Sequence, residues 1–183
     1  SIKNVINKNI NSKITFFSGY DCDSLALENV TGFAKHILPL FRQYPEVDIE
    51  FRTKSVQREP FMTTKPMKNV IMAYSLMPDL MSSSLDNKVP SISKRIQVIS
   101  DLALRGWKIG LRFDPLIYGK DWELLYEDLL EKVYSSISLE SIHSVSVGPL
   151  RFPKKMFKDI LKLYPEEPLF TSPLSSNKEI VSY

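Results

Sequence analysis

A single cysteine, Cys22, stands in 183 residues. That scarcity excludes an internal disulfide and any multi-cysteine metal site, so neither a zinc nor an iron–sulfur centre can be assembled from this chain alone. Histidine is almost as rare: His36 and His143 lie far apart, with no second ligand at metal spacing, and the expectation is no metal held by these residues. No apolar run approaches the roughly 18 residues of a membrane span, and residues 1–11 lack the basic-then-apolar pattern of a secretion signal. The reading is a chain of the reducing cytoplasm, without a membrane partner. Also missing are GxGxxG, a P-loop and a nucleophile elbow, which removes the commonest nucleotide-binding and hydrolase signatures. Neither sign of charge dominates: the net charge is +3, with a pI near 8.8. Such a mild excess permits contact with nucleic acid without demanding it.

What is present fits a packed α/β domain. Hydrophobic residues make up 43% and charged residues 25%, which argues against disorder and fibrous classes. Short runs rich in β-branched and aromatic residues recur as strand candidates at Ile14 to Phe17, Val47 to Phe51, Val70 to Leu76, Trp107 to Phe113 and Ser144 to Leu150. Between them lie helical stripes. One follows Asp23, with Leu27, Val30, Ala34 and Ile37 on one side. A second has Ile92, Ile96, Ile99 and Ala103 and stops at Gly106; a third, Trp122, Leu125, Leu129 and Val133, follows Asp121, whose carboxylate is placed to cap it. The fourth begins at Pro153. Pro60 and Pro66 leave room for only a short or broken helix between Ser55 and Lys68. Each crossover between successive strands is long enough to return a parallel strand. The expected fold is therefore a parallel βα repeat, one domain over 1–183, open or curved into a partial, incomplete TIM-like barrel of about five to six strands. The tail at Val181-Ser182-Tyr183 shows no obvious terminal element, and the chain reads as a fragment or as a processed or engineered start.

In either kind of parallel sheet, ligands gather at the carboxyl ends of the strands. Those ends collect Ser18, Gly19, Asp21, Cys22 and Asp23, then Thr53, Lys54 and Ser55, then Ser75, then Asp114 and Pro115, and finally Gly148, Pro149 and Arg151. The plainer account is that loops are polar anyway and that Asp23 caps a helix. Lys54 and Arg112 resist it, because a charge at the end of, or within, a buried strand needs a partner or an opening.

Five strings carry a more specific signal: DSLALENVTG (23–32), IEFRTKS (49–55), AYSLMP (73–78), GWKIGLRFDPLI with DWELLYEDLLEK (106–132), and SVSVGPLRFP (144–153). In order and spacing they resemble spore photoproduct lyase and its relatives among the radical adenosylmethionine enzymes, over about residues 14–165. The resemblance implies a partial barrel. It further implies a four-iron, four-sulfur cluster and adenosylmethionine as cofactors, carbon–carbon lyase chemistry on thymine dimers, and DNA as partner. Matched by motif, Asp23, Ser24, Lys54 and Ser75 are implied to face the amino-acid end of adenosylmethionine. Arg151 is implied to face the substrate, and Arg112, Lys154 and Lys158 are grouped with it. A helix carrying Lys154 and Lys158 on one face could neutralise phosphates.

The sequence departs from that family in two places. The family's CxxxCxxC is absent, so the chain is expected to be the later part of the barrel, inactive by itself and needing an N-terminal unit or a partner chain to hold the cluster. The family's hydrogen-returning cysteine aligns with Asp21, and Cys22 is one residue away, so both are retained as catalytic candidates. Two other readings stay open: a cluster-free accessory module that keeps the half-barrel, and a barrel enzyme of another class using Asp21, Asp23 and Asp114 for acid–base work or magnesium.

Overall fold

The computed structural model describes residues 2–9, 11–19, 22–170, 174–177 and 179–182. Strands β1 (Thr15–Ser18), β2 (Asp48–Thr53), β3 (Val70–Ser75), β4 (Lys108–Leu116) and β5 (Ile142–Pro149) form one sheet in the order β1-β2-β3-β4-β5, with every pairing parallel. Because this order never reverses, right-handed crossovers carry the helices to one face and leave the other free. The sheet is an unclosed partial TIM-like barrel, which decides between the two forms the sequence left open.

Eight α-helices are present among the described residues: α1 (Ile2–Lys8), α2 (Glu28–Thr31), α3 (Phe33–Arg42), α4 (Glu59–Thr63), α5 (Asp79–Leu85), α6 (Ile92–Leu104), α7 (Trp122–Ser136) and α8 (Lys154–Leu163). The short α4 agrees with its flanking prolines. The stripe after Asp23 does not form one helix: Gly32 takes a left-handed conformation at φ 58° and separates α2 from α3. The buried Glu28 then accepts the first backbone N–H groups of α3, from Ala34 (2.8 Å) and Lys35 (3.3 Å). As a consequence, Leu27 and Val30 point to solvent while Ala34 and Leu38 are buried. Asp121 occupies the N-cap of α7 as expected, but at φ 56° its carboxylate makes no capping bond.

The core lies between sheet and helices. Phe33, Phe51, Phe61 and Trp107 make a continuous edge-to-face series, with centroids 5.9, 5.4 and 5.5 Å apart. Trp107, fully buried at the entry to β4, donates its indole N–H to the Phe61 carbonyl at 2.9 Å. Asn69, at the entry to β3, donates to the carbonyls of Phe41, Tyr44 and Val47, closing the α3–β2 turn against the sheet.

The C-terminal tail was expected to lack structure, yet Ile180–Ser182 forms a strand, β8, pairing antiparallel with β6 (Arg151–Pro153) and β7 (Ser175–Ser176). Strands of two or three residues have no alternation to read; burial of Val181 and pairing with a segment about thirty residues earlier hold this one.

Candidate functional site

Parallel register puts Glu50 and Arg52 of β2, Ile71, Ala73 and Ser75 of β3, Gly110 and Arg112 of β4, and Ser144 and Ser146 of β5 on one face. The alternate residues Ile49, Phe51, Met72, Tyr74, Ile109, Leu111 and Phe113 pack toward the helices. Ala73, Gly110 and the serines are small for a reason visible at Gly110. A Cβ built there would come within 2.7 Å of the Arg112 Nη2 and 2.9 Å of its Cζ. The guanidinium crosses over the glycine to Glu50, with Nη2 donating to Oε2 at 2.6 Å and Nε to Oε1 at 3.1 Å. Its remaining donors reach the carbonyls of Leu111 and Ser144 and the Ser144 hydroxyl. All five N–H groups of Arg112 are therefore used within the protein. The need for a partner, read from the sequence, is met by Glu50, a residue the sequence reading missed. Arg112 serves as part of the barrel wall, with no donor left for the substrate contact expected of it.

Above this wall, at the carboxyl ends of β1 to β5, opens a cavity of about 500 Å³ lined by Gly19, Cys22, Asp23, Arg52, Thr53, Lys54, Ser75, Val89, Asp114 and Arg151. Cys22, Asp23, Lys54, Ser75 and Arg151 are thus brought together from four sequence segments. Asp23 spans the first two. Its Oδ1 accepts from the Leu25 and Ala26 amides (2.8 Å each) and the Thr53 hydroxyl (2.6 Å), while Oδ2 accepts from the Lys54 amide (2.6 Å). Asp23 therefore fixes the turn ahead of α2 and does not cap that helix, whose N-cap is Leu27, and Oδ2 retains room for a further donor. Asp21 lies outside the described residues.

Lys54 and Ser75 are tied into one network. The Lys54 ammonium pairs with Asp86, which also accepts from Arg95 Nη2 (3.2 Å) and the Ser82 hydroxyl (3.2 Å); Arg95 Nη1 holds the Ser75 carbonyl at 3.1 Å. Arg95 is fully buried in α6. Its place on the apolar side of the Ile92–Ile99 stripe was a legible signal, since a charge on a buried helical face must be answered nearby. The hydroxyl of the half-buried Ser24 is itself buried and has no partner among the described residues. Gly19, at φ +82°, approaches so closely that a Cβ there would sit 2.6 Å from that oxygen. Arg151 makes a two-pronged pair with Asp114, 3.0 Å on each side.

Lys154 and Lys158 do not join this group. They border a separate groove of about 400 Å³ with Phe157, Leu161, Phe170 and Val181, because α8 turns away behind β6.

Burial raises the pKa of Glu50 and of Asp86, but the hydrogen bonds and charges of Arg112 and Arg52 on one, and of Lys54 and Arg95 on the other, outweigh it. Both carboxyls are held below their ordinary values of 4.5 and 3.8. A depressed carboxyl adds stability that is present above its ordinary pKa and lost as pH falls through the lowered one. Denaturant midpoints should hold from neutral pH down to about 5 and fall below about 4. A midpoint unchanged at pH 3 would remove both pairs from the energetics.

The spore photoproduct lyase family profile matches residues 2–175. No curated protein matches the chain. Among solved structures, a spore photoproduct lyase complexed with dinucleoside spore photoproduct is similar with a TM-score of 0.86, and a double mutant of spore photoproduct lyase with bound AdoMet and dinucleoside spore photoproduct with 0.82. Each is 16% identical, covered over 100% of this chain and 56% of its own. The chain thus spans little more than half the length of the structures it matches.

Proposed function

The chain belongs to the spore photoproduct lyase family, and on that premise we propose that it is the adenosylmethionine-binding and substrate-binding part of a radical enzyme that repairs thymine lesions in DNA. The observation that carries this reading is the gathering of Lys54, Ser75, Asp23 and Cys22 around one cavity at the carboxyl edge of the parallel sheet. A volume of about 500 Å³ suits a ligand of nucleoside size.

The residues fit the ligand's amino-acid end. Lys54 and the Ser75 hydroxyl would hold a carboxylate, and the spare capacity of Asp23 Oδ2 an ammonium. The orphaned Ser24 hydroxyl is a feature of a loop shaped around a bound group, and Gly19 lets that loop pack directly against Arg52 and Cys22. When bound and reduced, adenosylmethionine supplies a carbon radical that abstracts hydrogen. On this reading the exposed thiol of Cys22 on the cavity wall would return a hydrogen atom, and Arg151 with Asp114 would form the substrate side. The residues present do not fit an iron–sulfur cluster: one cysteine cannot supply three thiolates, so the reading requires those ligands from elsewhere and assigns the chain no activity by itself. DNA is the partner that this reading implies.

Calorimetric titration with adenosylmethionine tests the proposal. One molecule should bind per chain, and Lys54→Gln should weaken it by about 10- to 100-fold, the loss of one charge-assisted contact. Asp128→Asn, in a solvent-exposed pair with Lys132, should leave it unchanged. Equal binding by parent and Lys54→Gln would contradict the reading.

A further inference from the structure

The wall of this cavity contains a cation to which no role has been given. Arg52 lies on the cavity side of β2, and its Nε and Nη2 donate only to Glu50 Oε1, at 3.3 and 3.2 Å. Glu50 is already clasped from the opposite side by both prongs of the buried Arg112, at 2.6 and 3.1 Å. One carboxylate thus stands between two guanidiniums, and one positive charge is left over. The side-chain exposures show where that surplus lies: 5% for Arg112, 6% for Glu50, and 29% for Arg52. Arg52 Nη1 has no partner among the described residues. The second network repeats the pattern, with Asp86 between Lys54 and the buried Arg95.

We infer that Arg52 is a second oxyanion-binding point of the cavity, separate from Lys54, taking a carboxylate or phosphate oxygen on Nη1 while Glu50 and Arg112 hold its plane. A planar fork fixed on one edge presents its other edge with little entropy left to lose. The Glu50–Arg112 clamp makes Arg52 rigid without neutralising it, which a simple one-to-one ion pair would not do. This inference rests on the cavity's proposed ligand-binding role, and it adds a second charged contact to that role. An adenosylmethionine carboxylate and a DNA phosphodiester are the two sources of such an oxygen.

The test titrates the chain, Arg52→Gln and Arg52→Lys with adenosylmethionine, with the phosphodiester thymidylyl-thymidine and with inorganic pyrophosphate, and records each protein's melting temperature. The expected result is a loss of about tenfold or more for Arg52→Gln with at least one of the three, partly restored in Arg52→Lys, at a nearly unchanged melting temperature. A loss confined to adenosylmethionine assigns the carboxylate; one confined to thymidylyl-thymidine assigns the phosphate. Equal affinities of parent and Arg52→Gln for every anion, or no anion bound by the parent, overturn the inference. Pyrophosphate keeps the two claims apart. If it is held through Arg52 while adenosylmethionine does not bind, the anion point stands and the cofactor reading falls. If adenosylmethionine binds and no anion distinguishes Arg52→Gln from the parent, the reverse holds.

Discussion

Glu50→Ala should lower the unfolding free energy by about 3–5 kcal/mol, the cost of leaving a buried charge without its partner. The reason lies in how Arg112 is placed. Its guanidinium sits over Gly110, inside the wall, with 5% of the side chain exposed. Once the carboxylate is gone, Nε and Nη2 lose their anion in a side chain that is almost wholly buried. The same change frees Arg52, but that residue is already part-exposed and can turn to water, so nearly all of the loss belongs to Arg112. Glu50→Gln keeps the shape and one acceptor and should cost less. Urea unfolding of the three proteins at pH 7 measures this; a difference below about 1 kcal/mol for Glu50→Ala would mean that the pair is hydrated.

Trp107→Ala should cost a similar amount, about 3–5 kcal/mol, through a different physical route. The side chain is fully buried and ends the edge-to-face series that begins at Phe33. Its removal leaves a cavity bordered by Phe61 and strands the Phe61 carbonyl, which now accepts the indole N–H at 2.9 Å. Because this defect is at the amino-terminal entry of β4 and the ligand cavity is at the carboxyl edge, adenosylmethionine affinity of the folded fraction should be unchanged. A Trp107→Phe variant should recover most of the packing and none of the hydrogen bond. Equal midpoints for parent and Trp107→Ala would show that the core closes over the gap.

How much of this was readable beforehand follows from the length scale of each signal. All five strands of the parallel sheet were visible because each carries β-branched or aromatic residues at alternate positions, and the cavity residues followed from taking what stands after each run. Partnerships were not visible. Arg112 was recognised as a charge in need of an answer, but Glu50 stands 62 residues away, and nothing in the local pattern names it. Arg95 and Asp86, which anchor Lys54 and Ser75, were missed for the same reason, although an arginine within the apolar stripe of α6 was a clue. The break at Gly32 was missed because the hydrophobic spacing runs through it without interruption; the backbone conformation that only glycine adopts easily decided the matter. The lysines of α8 were assigned to the cavity by proximity in sequence, and the turn through β6 carried them away from it.

The central claim is that the cavity at the carboxyl edge holds the amino-acid end of adenosylmethionine between Lys54 and Ser75. A co-crystal structure of the chain with adenosylmethionine tests this most directly. The account predicts the carboxylate within hydrogen-bonding distance of the Lys54 ammonium and the Ser75 hydroxyl, and the ammonium at Asp23 Oδ2. Density for the ligand at another surface, or an empty cavity at a concentration that saturates the protein in solution, would contradict it.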